Sequence, residues 1–238
     1  MSQSPTTLFK WKHFSKDIIL WAVRWYCQFS VSYRDLVIML KERGMDASHT
    51  TLMRWVHEYA GEFKKRLKKF IKRSNDSYRI DETYIKIKGE WHYLYRAIDS
   101  EGNTLDWMLS ATRNQEAAEK FLRQVVSNEH SAAPRIISVD KHASYPPAFK
   151  ALQTEGLIPE VTELRQIKYL NNIIEQDHRF TKKRIRYSQW LQTVKTAEAT
   201  ISGYESIHLI RKGQIPGVAR GDFIAQKKFI EDLFDLAA

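Results

Sequence analysis

Between residues 16 and 60 the apolar positions recur at helical spacing. Ile18, Trp21, Ala22 and Trp25 form a stripe over 16–28. Leu36, Met39 and Leu40 form another over 33–43, with Ser32 as its N-cap and Gly44 just past its end. Ser48 caps a third helix, 49–60, carried by Leu52, Trp55, Val56 and Tyr59. After residue 76 the period changes to two. Over 79–88 Ile80, Glu82, Tyr84 and Lys86 alternate with Asp81, Thr83, Ile85 and Ile87, and Gly89-Glu90 forms a tight turn. Further strands are predicted at 91–98 and 104–111, with a turn around Gly102 between them. The remainder alternates: a helix at 114–128, a short strand at 135–139, and a helix at 144–155 broken early by Pro146-Pro147. A strand at 161–164 and helices at 170–186, 190–211 and 222–235 follow, the last beyond a linker with Gly213, Pro216, Gly217 and Gly221. Hairpin strands followed by alternating helix and strand describe an α/β fold, a mixed sheet flanked by helices, preceded by an all-α segment.

A chain of 238 residues has length for one or two domains with a real core. The longest clean apolar run, Ile18 to Val23, is far too short to span a bilayer, and the N-terminus lacks a secretory pattern. The single cysteine, Cys27, excludes a disulfide framework and a Cys-paired zinc module. These features point to the cytoplasm, with no membrane partner.

Charge changes the picture more. Lys and Arg outnumber Asp and Glu by 38 to 28, and the surplus is concentrated. Residues 61–73 carry a net of +6 and residues 165–186 a net of +5, leaving the rest close to neutral. Two basic patches on a neutral body are the footprint of a polyanion partner, or solubilising helix faces. The first patch directly follows the three helices, whose short Gly44-containing link suits a helix-turn-helix. His49, Thr50, Thr51 and Arg54 would then reach base edges, and Lys64, Lys65, Lys68 and Lys69 would hold phosphates.

Three acids complete the pattern. Asp81 lies in the first strand, Asp140 closes the strand at 135–139, and Glu175 lies mid-helix after two isoleucines. Taken singly, each also reads as an edge charge, a helix cap or an exposed helix residue. Together they suit hard, oxygen-seeking divalent cations, and two such ions suit phosphodiester chemistry. His178, Arg179 and Lys182 follow Glu175 at three, four and seven residues, on one helical face suited to phosphate contacts. Asp177 points roughly the other way, as Glu82 does from Asp81.

The segments RIDETYIKIKGEWHYLYRAIDSEGNTLD, SVDKHASY and RQIKYLNNIIEQDHRFTKKR resemble the three acidic motifs of the DDE transposases, closest to the IS-six family of bacterial insertion sequences. The 34 residues between Asp140 and Glu175, and Lys182 seven places after the Glu, follow that family's pattern. SYRDLVIMLKERGMDASHTTLMRWVHEYA resembles its helix-turn-helix. The resemblance implies an RNase H-like catalytic domain at 77–212 after a helix-turn-helix domain at 1–62 and a basic linker at 63–76. A tail helix at 213–238 would serve oligomerisation. It also implies Asp81, Asp140 and Glu175 as catalytic metal ligands for two Mg2+ ions, with Mn2+ as a substitute. The expected partners are double-stranded DNA, as terminal inverted repeats and as target, and further copies of the chain in at least a dimer, acting at the bacterial nucleoid. A nuclease or resolvase of the same fold without strand transfer, or a helix-turn-helix regulator, is the alternative.

Overall fold

The computed structural model describes Phe9 and residues 13–167, 172–188 and 191–236. In chain order its elements are α1 (Lys16–Gln28), α2 (Tyr33–Lys41), α3 (His49–Leu67), β1 (Ser77–Ile87), β2 (Glu90–Asp99), β3 (Thr104–Ser110) and α4 (Gln115–Val126). There follow β4 (Ile136–Val139), α5 (Tyr145–Thr154), β5 (Glu163–Gln166), α6 (Asn172–Ser188), α7 (Val194–Arg211) and α8 (Phe223–Leu233). The starts expected at 170 and 190 lie outside the described residues. The chain divides into two compact units, one of residues 1–71 with 181–238 and the other of residues 72–180.

In the helical unit the caps are those of the sequence. The Ser32 hydroxyl accepts from the Asp35 N–H at 3.1 Å, and the Asp35 carboxylate accepts from the Ser32 N–H at 2.8 Å. Gly44 takes φ +74° after α2, where an L side chain would be strained. Ser48 accepts from the Thr51 N–H at 3.2 Å. The stripe of α3 continues through Phe63 to Leu67, so this helix takes the first residues of the expected basic linker.

The compact units do not follow the expected bounds at 62 and 212, for a physical reason. α7 is buried on every side from Thr200 to Ile207, so this stretch has no solvent face. It packs on α3 and α1, where Gly203 comes so close that a Cβ would lie 2.6 Å from Cys27 Sγ and 2.8 Å from Ala60 Cβ. The N-terminal helices therefore share one core with a helix far downstream in the chain, and Phe234, at the C-cap of α8, has its ring centre 4.8 Å from that of Phe63. Burial pushes the Cys27 thiol up to about 12, which makes it a packing group.

The other unit is a five-stranded mixed sheet in the order β3-β2-β1-β4-β5, flanked by helices. β1 pairs antiparallel with β2, and β2 with β3, whereas β4 runs parallel to both β1 and β5. The β1–β2 turn is built on Lys88 (φ 51°) and Gly89 (φ 86°), one residue earlier than the alternation suggested. On one face Tyr78, Ile80, Tyr95 and Ala97 pack with Phe121 and Leu122 of α4 and Ala148 and Leu152 of α5. Pro146 and Pro147 start α5 rather than break it, because first-turn residues need no intrahelical N–H donor. On the opposite face Arg96 is fully buried, and its guanidinium meets the Asp177 carboxylate of α6 at 2.7 Å. Among the described residues no helix is long and apolar enough to cross a membrane.

Two stability outcomes follow from these contacts. Gly203→Ala forces Cys27 and Ala60 apart and lowers stability by about 1–3 kcal/mol, read in thermal or urea unfolding. Asp177→Asn removes the carboxylate charge facing buried Arg96 and costs about 3–5 kcal/mol in the same measurement. A melting temperature unchanged by Asp177→Asn would show that this ion pair contributes nothing net.

Candidate active site

Strand register brings the first two acids together. β1 and β4 are parallel neighbours with Arg79 paired to Ser138, and Asp81 and Asp140 each lie two residues further on. Oxygens of Asp81, Glu82 and Asp140 fall within 4.8 Å of one another. The three differ in exposure. The Glu82 side chain is 2% exposed, that of Asp81 20% and that of Asp140 33%.

Each carboxylate is held by a different element. Glu82 accepts from the Tyr145 hydroxyl of α5 at 2.6 Å and from Arg113 at 3.1 Å. The same Arg113 nitrogen donates to Asp140 at 2.5 Å, so one guanidinium clamps two acids. The backbone N–H of His142 donates to the second oxygen of Asp140 at 2.9 Å. On the other side of β1, Nε2 of His178 lies 3.3 Å from Asp81.

The electrostatics follow from burial. Burial raises the Glu82 carboxyl above its ordinary range, against the Tyr145 hydrogen bond and the Arg113 charge, while Asp140 adds to the rise. Burial by itself would lower the Arg113 guanidinium, but Glu82 and Asp140 outweigh it and hold Arg113 firmly protonated. Tyr145 is raised well above the ordinary phenol value, first by burial and then by Glu82, so its hydroxyl stays a donor.

Asp81 and Asp140 are thus brought together, whereas Glu175 is exposed on α6 and lies outside the three-carboxylate cluster. Glu175 does precede His178 by three residues, on the face of the helix whose ring approaches Asp81. His178, expected from its helical face to contact a phosphate, is instead 1% exposed and lies against Asp81. Glu82 was expected to point away from Asp81. Its partners do lie on the opposite face, yet the carboxylates converge at the strand edge. Glu82, Arg113 and Tyr145 are the residues that sequence reasoning missed. Two adjacent acids inside a strand flanked by apolar positions were the available signal for Glu82.

Of the residues expected on DNA, Arg179 and Lys182 are exposed on α6. His49, Thr50 and Arg54 are exposed on the first turns of α3 and Thr51 is half-buried. The hydroxyls of Thr50 and Thr51 both lie 2.9 Å from the Ser48 hydroxyl. Lys64, Lys65, Lys68 and Lys69 are exposed; Lys65 pairs with Glu62 at 2.6 Å and Lys69 lies 5.0 Å from the Phe70 ring centre. Arg184, counted in the second basic patch, is buried. It caps α1 by donating to the carbonyls of Cys27, at 2.9 Å, and Gln28, and burial lowers it to about 10.

A family model for the DDE domain, of the IS240 transposase type, matches residues 75–214, which includes all four acids discussed. The transposase for insertion sequence-like element IS431mec of Staphylococcus aureus strain N315 is 41% identical over 206 residues, 86% of this chain and 88% of that protein. The transposase for insertion sequence element IS257 in transposon Tn4003, also from Staphylococcus aureus, gives the same figures. The solved catalytic core domain of HTLV-2 integrase, in complex with magnesium, aligns with a TM-score of 0.43 at 15% identity, covering 62% of this chain and 93% of that one. An acid pair set by parallel register, inside a matched DDE domain and a chain-long identity to insertion-sequence transposases, places this chain in the IS-six family of DDE transposases and makes it an enzyme of DNA transposition.

Proposed function

We propose that the protein binds the terminal inverted repeats of its insertion sequence, frees the 3′ ends and joins them to target DNA by phosphodiester exchange. The observation that carries this reading is the adjacency of Asp81 and Asp140, each two residues past the last paired position of the parallel strands β1 and β4. The donor set fits a divalent cation. Three carboxylates crowd together, with one guanidinium touching two of them and the His178 ring beside the third, and their oxygens are donors suited to a hard cation. Asp81 and Asp140 would hold two Mg2+ ions, with Glu175 as the third acid and Mn2+ as a substitute. Bound divalent cations supply Lewis-acid polarisation of the scissile phosphate and a more acidic attacking hydroxyl.

The chain's own residues do the positioning. Arg113 and Tyr145 hold Glu82 and Asp140 against their mutual repulsion, and His178 holds Asp81. Arg179 and Lys182, on the exposed side of α6, take up phosphates of the DNA end. The α2–α3 pair acts as a helix-turn-helix, with Arg54 and His49 at the base edges and Lys64, Lys65, Lys68 and Lys69 on the backbone. This unit needs α7 for its core, so DNA reading belongs to the full chain rather than to an N-terminal fragment. Joining two ends requires at least a dimer, acting on the nucleoid in the cytoplasm.

Joining of a 3′-ended oligonucleotide duplex to plasmid DNA tests the assignment. Asp81→Asn, Asp140→Asn and Glu175→Gln each reduce cleavage and joining to background while DNA binding persists, and pairs of these changes do no further harm. Glu82→Gln retains measurable joining, because Glu82 acts through its contacts to Arg113 and Tyr145. If Glu175→Gln remains active and Glu82→Gln does not, the third acid is Glu82. Cutting without joining in the native protein would instead identify a nuclease.

Sequence reading has its own outcome. Arg54→Ala costs about 1–3 kcal/mol in discrimination between terminal and scrambled duplexes, measured by competition binding. Equal discrimination before and after the change would remove α3 from the DNA-reading role.

A further inference from the structure

The β1–β2 hairpin carries an aromatic face that the positioning of the acids does not use. Cross-strand partners on that face are Glu82 with Tyr95, Tyr84 with Tyr93, and Lys86 with Trp91. Tyr84 is 54% exposed and Trp91 58% exposed, while Tyr93 packs against the core. The Tyr84 ring centre lies 5.2 Å from that of Tyr93 and 6.2 Å from that of Trp91, and the Lys86 ammonium sits 4.7 Å from the Trp91 ring centre. The opposite face of the same stretch, with Thr83, Ile85 and Ile87, is buried. The solvent face of a half-buried strand ordinarily carries polar residues. Here it carries rings. Cross-strand packing accounts for Tyr84 on Tyr93 but leaves an open indole at the end of the row.

We propose that Tyr84, Trp91 and Lys86 form a stacking platform for an unpaired DNA nucleobase next to the carboxylate site. The inference rests on the DNA-transfer reading above and adds a ligand subsite to it. Three observations select this occupant. Tyr84 follows Glu82 by two residues on the same strand face, about 7 Å at strand rise, so the platform is continuous with the acid cluster. Flat aromatic surface with an ammonium beside it matches a base and its phosphate. Paired bases in a duplex are already stacked on both sides, so only an unpaired one presents a free face to these rings.

The test uses the full-length protein in magnesium with two duplexes, both 3′-dideoxy-terminated so that joining cannot occur. One has a three-nucleotide 3′ overhang containing 2-aminopurine, and the other is blunt with the probe paired. Native protein quenches the overhang probe. Trp91→Ala and Tyr84→Ala relieve the quenching and weaken binding of the overhang duplex by roughly tenfold, with blunt-duplex affinity unchanged and Trp91→Phe close to native. Unaltered quenching in both alanine variants, or equal weakening on both duplexes, overturns the proposal. So does a change of oligomeric state in sedimentation without DNA, which would make the row a subunit contact. Asp140→Asn separates the two readings, because it keeps the quenching of the dideoxy overhang duplex while losing the joining of a 3′-hydroxyl duplex to plasmid DNA. If the native protein joined no 3′-hydroxyl duplex, the transfer reading would fail and the stacking result would stand.

Discussion

At an effective dielectric near 20, two like charges less than 5 Å apart repel by roughly 3 kcal/mol or more. Asp81, Glu82 and Asp140 are held that close, so their surroundings must hold them in place. The sheet contributes the backbone positions, since register fixes Asp81 beside Asp140 whatever the side chains prefer. Arg113 contributes charge, touching both Glu82 and Asp140 with one nitrogen. Tyr145 contributes a buried donor, which satisfies the most enclosed of the three carboxylates without adding charge. A single guanidinium leaves three carboxylates incompletely balanced, a field of the sign that favours a cation.

Much of this was legible in the sequence because it is periodic. The alternation of 79–88 and the stripe of 16–28 each survive as one element, and Asp140 was identified by its place at the end of a buried strand. What was not legible depends on tertiary contact. Period two correctly puts Asp81 and Glu82 on opposite faces, but a strand edge lets both carboxylates turn toward the same space. Arg113 lies in the connection between β3 and α4, where no periodic signal marks which residue will reach two acids. Glu175 was chosen by spacing and family pattern, and its helix puts it on the face of His178 without bringing it into the cluster.

Local charge counts were the weaker guide. The basic run 165–186 contributes residues with opposed roles: Arg179 and Lys182 are exposed, whereas Arg184 is spent on the last carbonyls of α1. In the run 61–73 Arg66 is half-buried, 3.9 Å from Glu62, and donates to the Leu233 carbonyl at 3.3 Å. Arginine is suited to this work because its fork reaches two carbonyls while staying charged. Net charge over a window therefore overstates the polyanion footprint whenever arginines cap helices, and the lysines in these runs are the better estimate of it. The compact units cut across the expected domain bounds for a related reason. Composition cannot tell that α7, which buries polar as well as apolar residues, completes the core of helices far earlier in the chain.

The buried polar pairs on the far face of β1 have a consequence for the position of Glu175. Asp81 and Arg96 are direct cross-strand partners, and α6 contacts both, through His178 on Asp81 and Asp177 on Arg96. Adjacent helix positions are about 100° apart, so two such contacts to one cross-strand pair fix the rotation of α6 about its axis as well as its position along it. Glu175 comes three residues before His178, about 60° around the helix and one turn along, and is carried to a defined place by residues that are not themselves catalytic. Its exposure fits this division of roles. The desolvation cost falls on Arg96, Asp177 and His178, which are paired, and leaves Glu175 exposed to solvent.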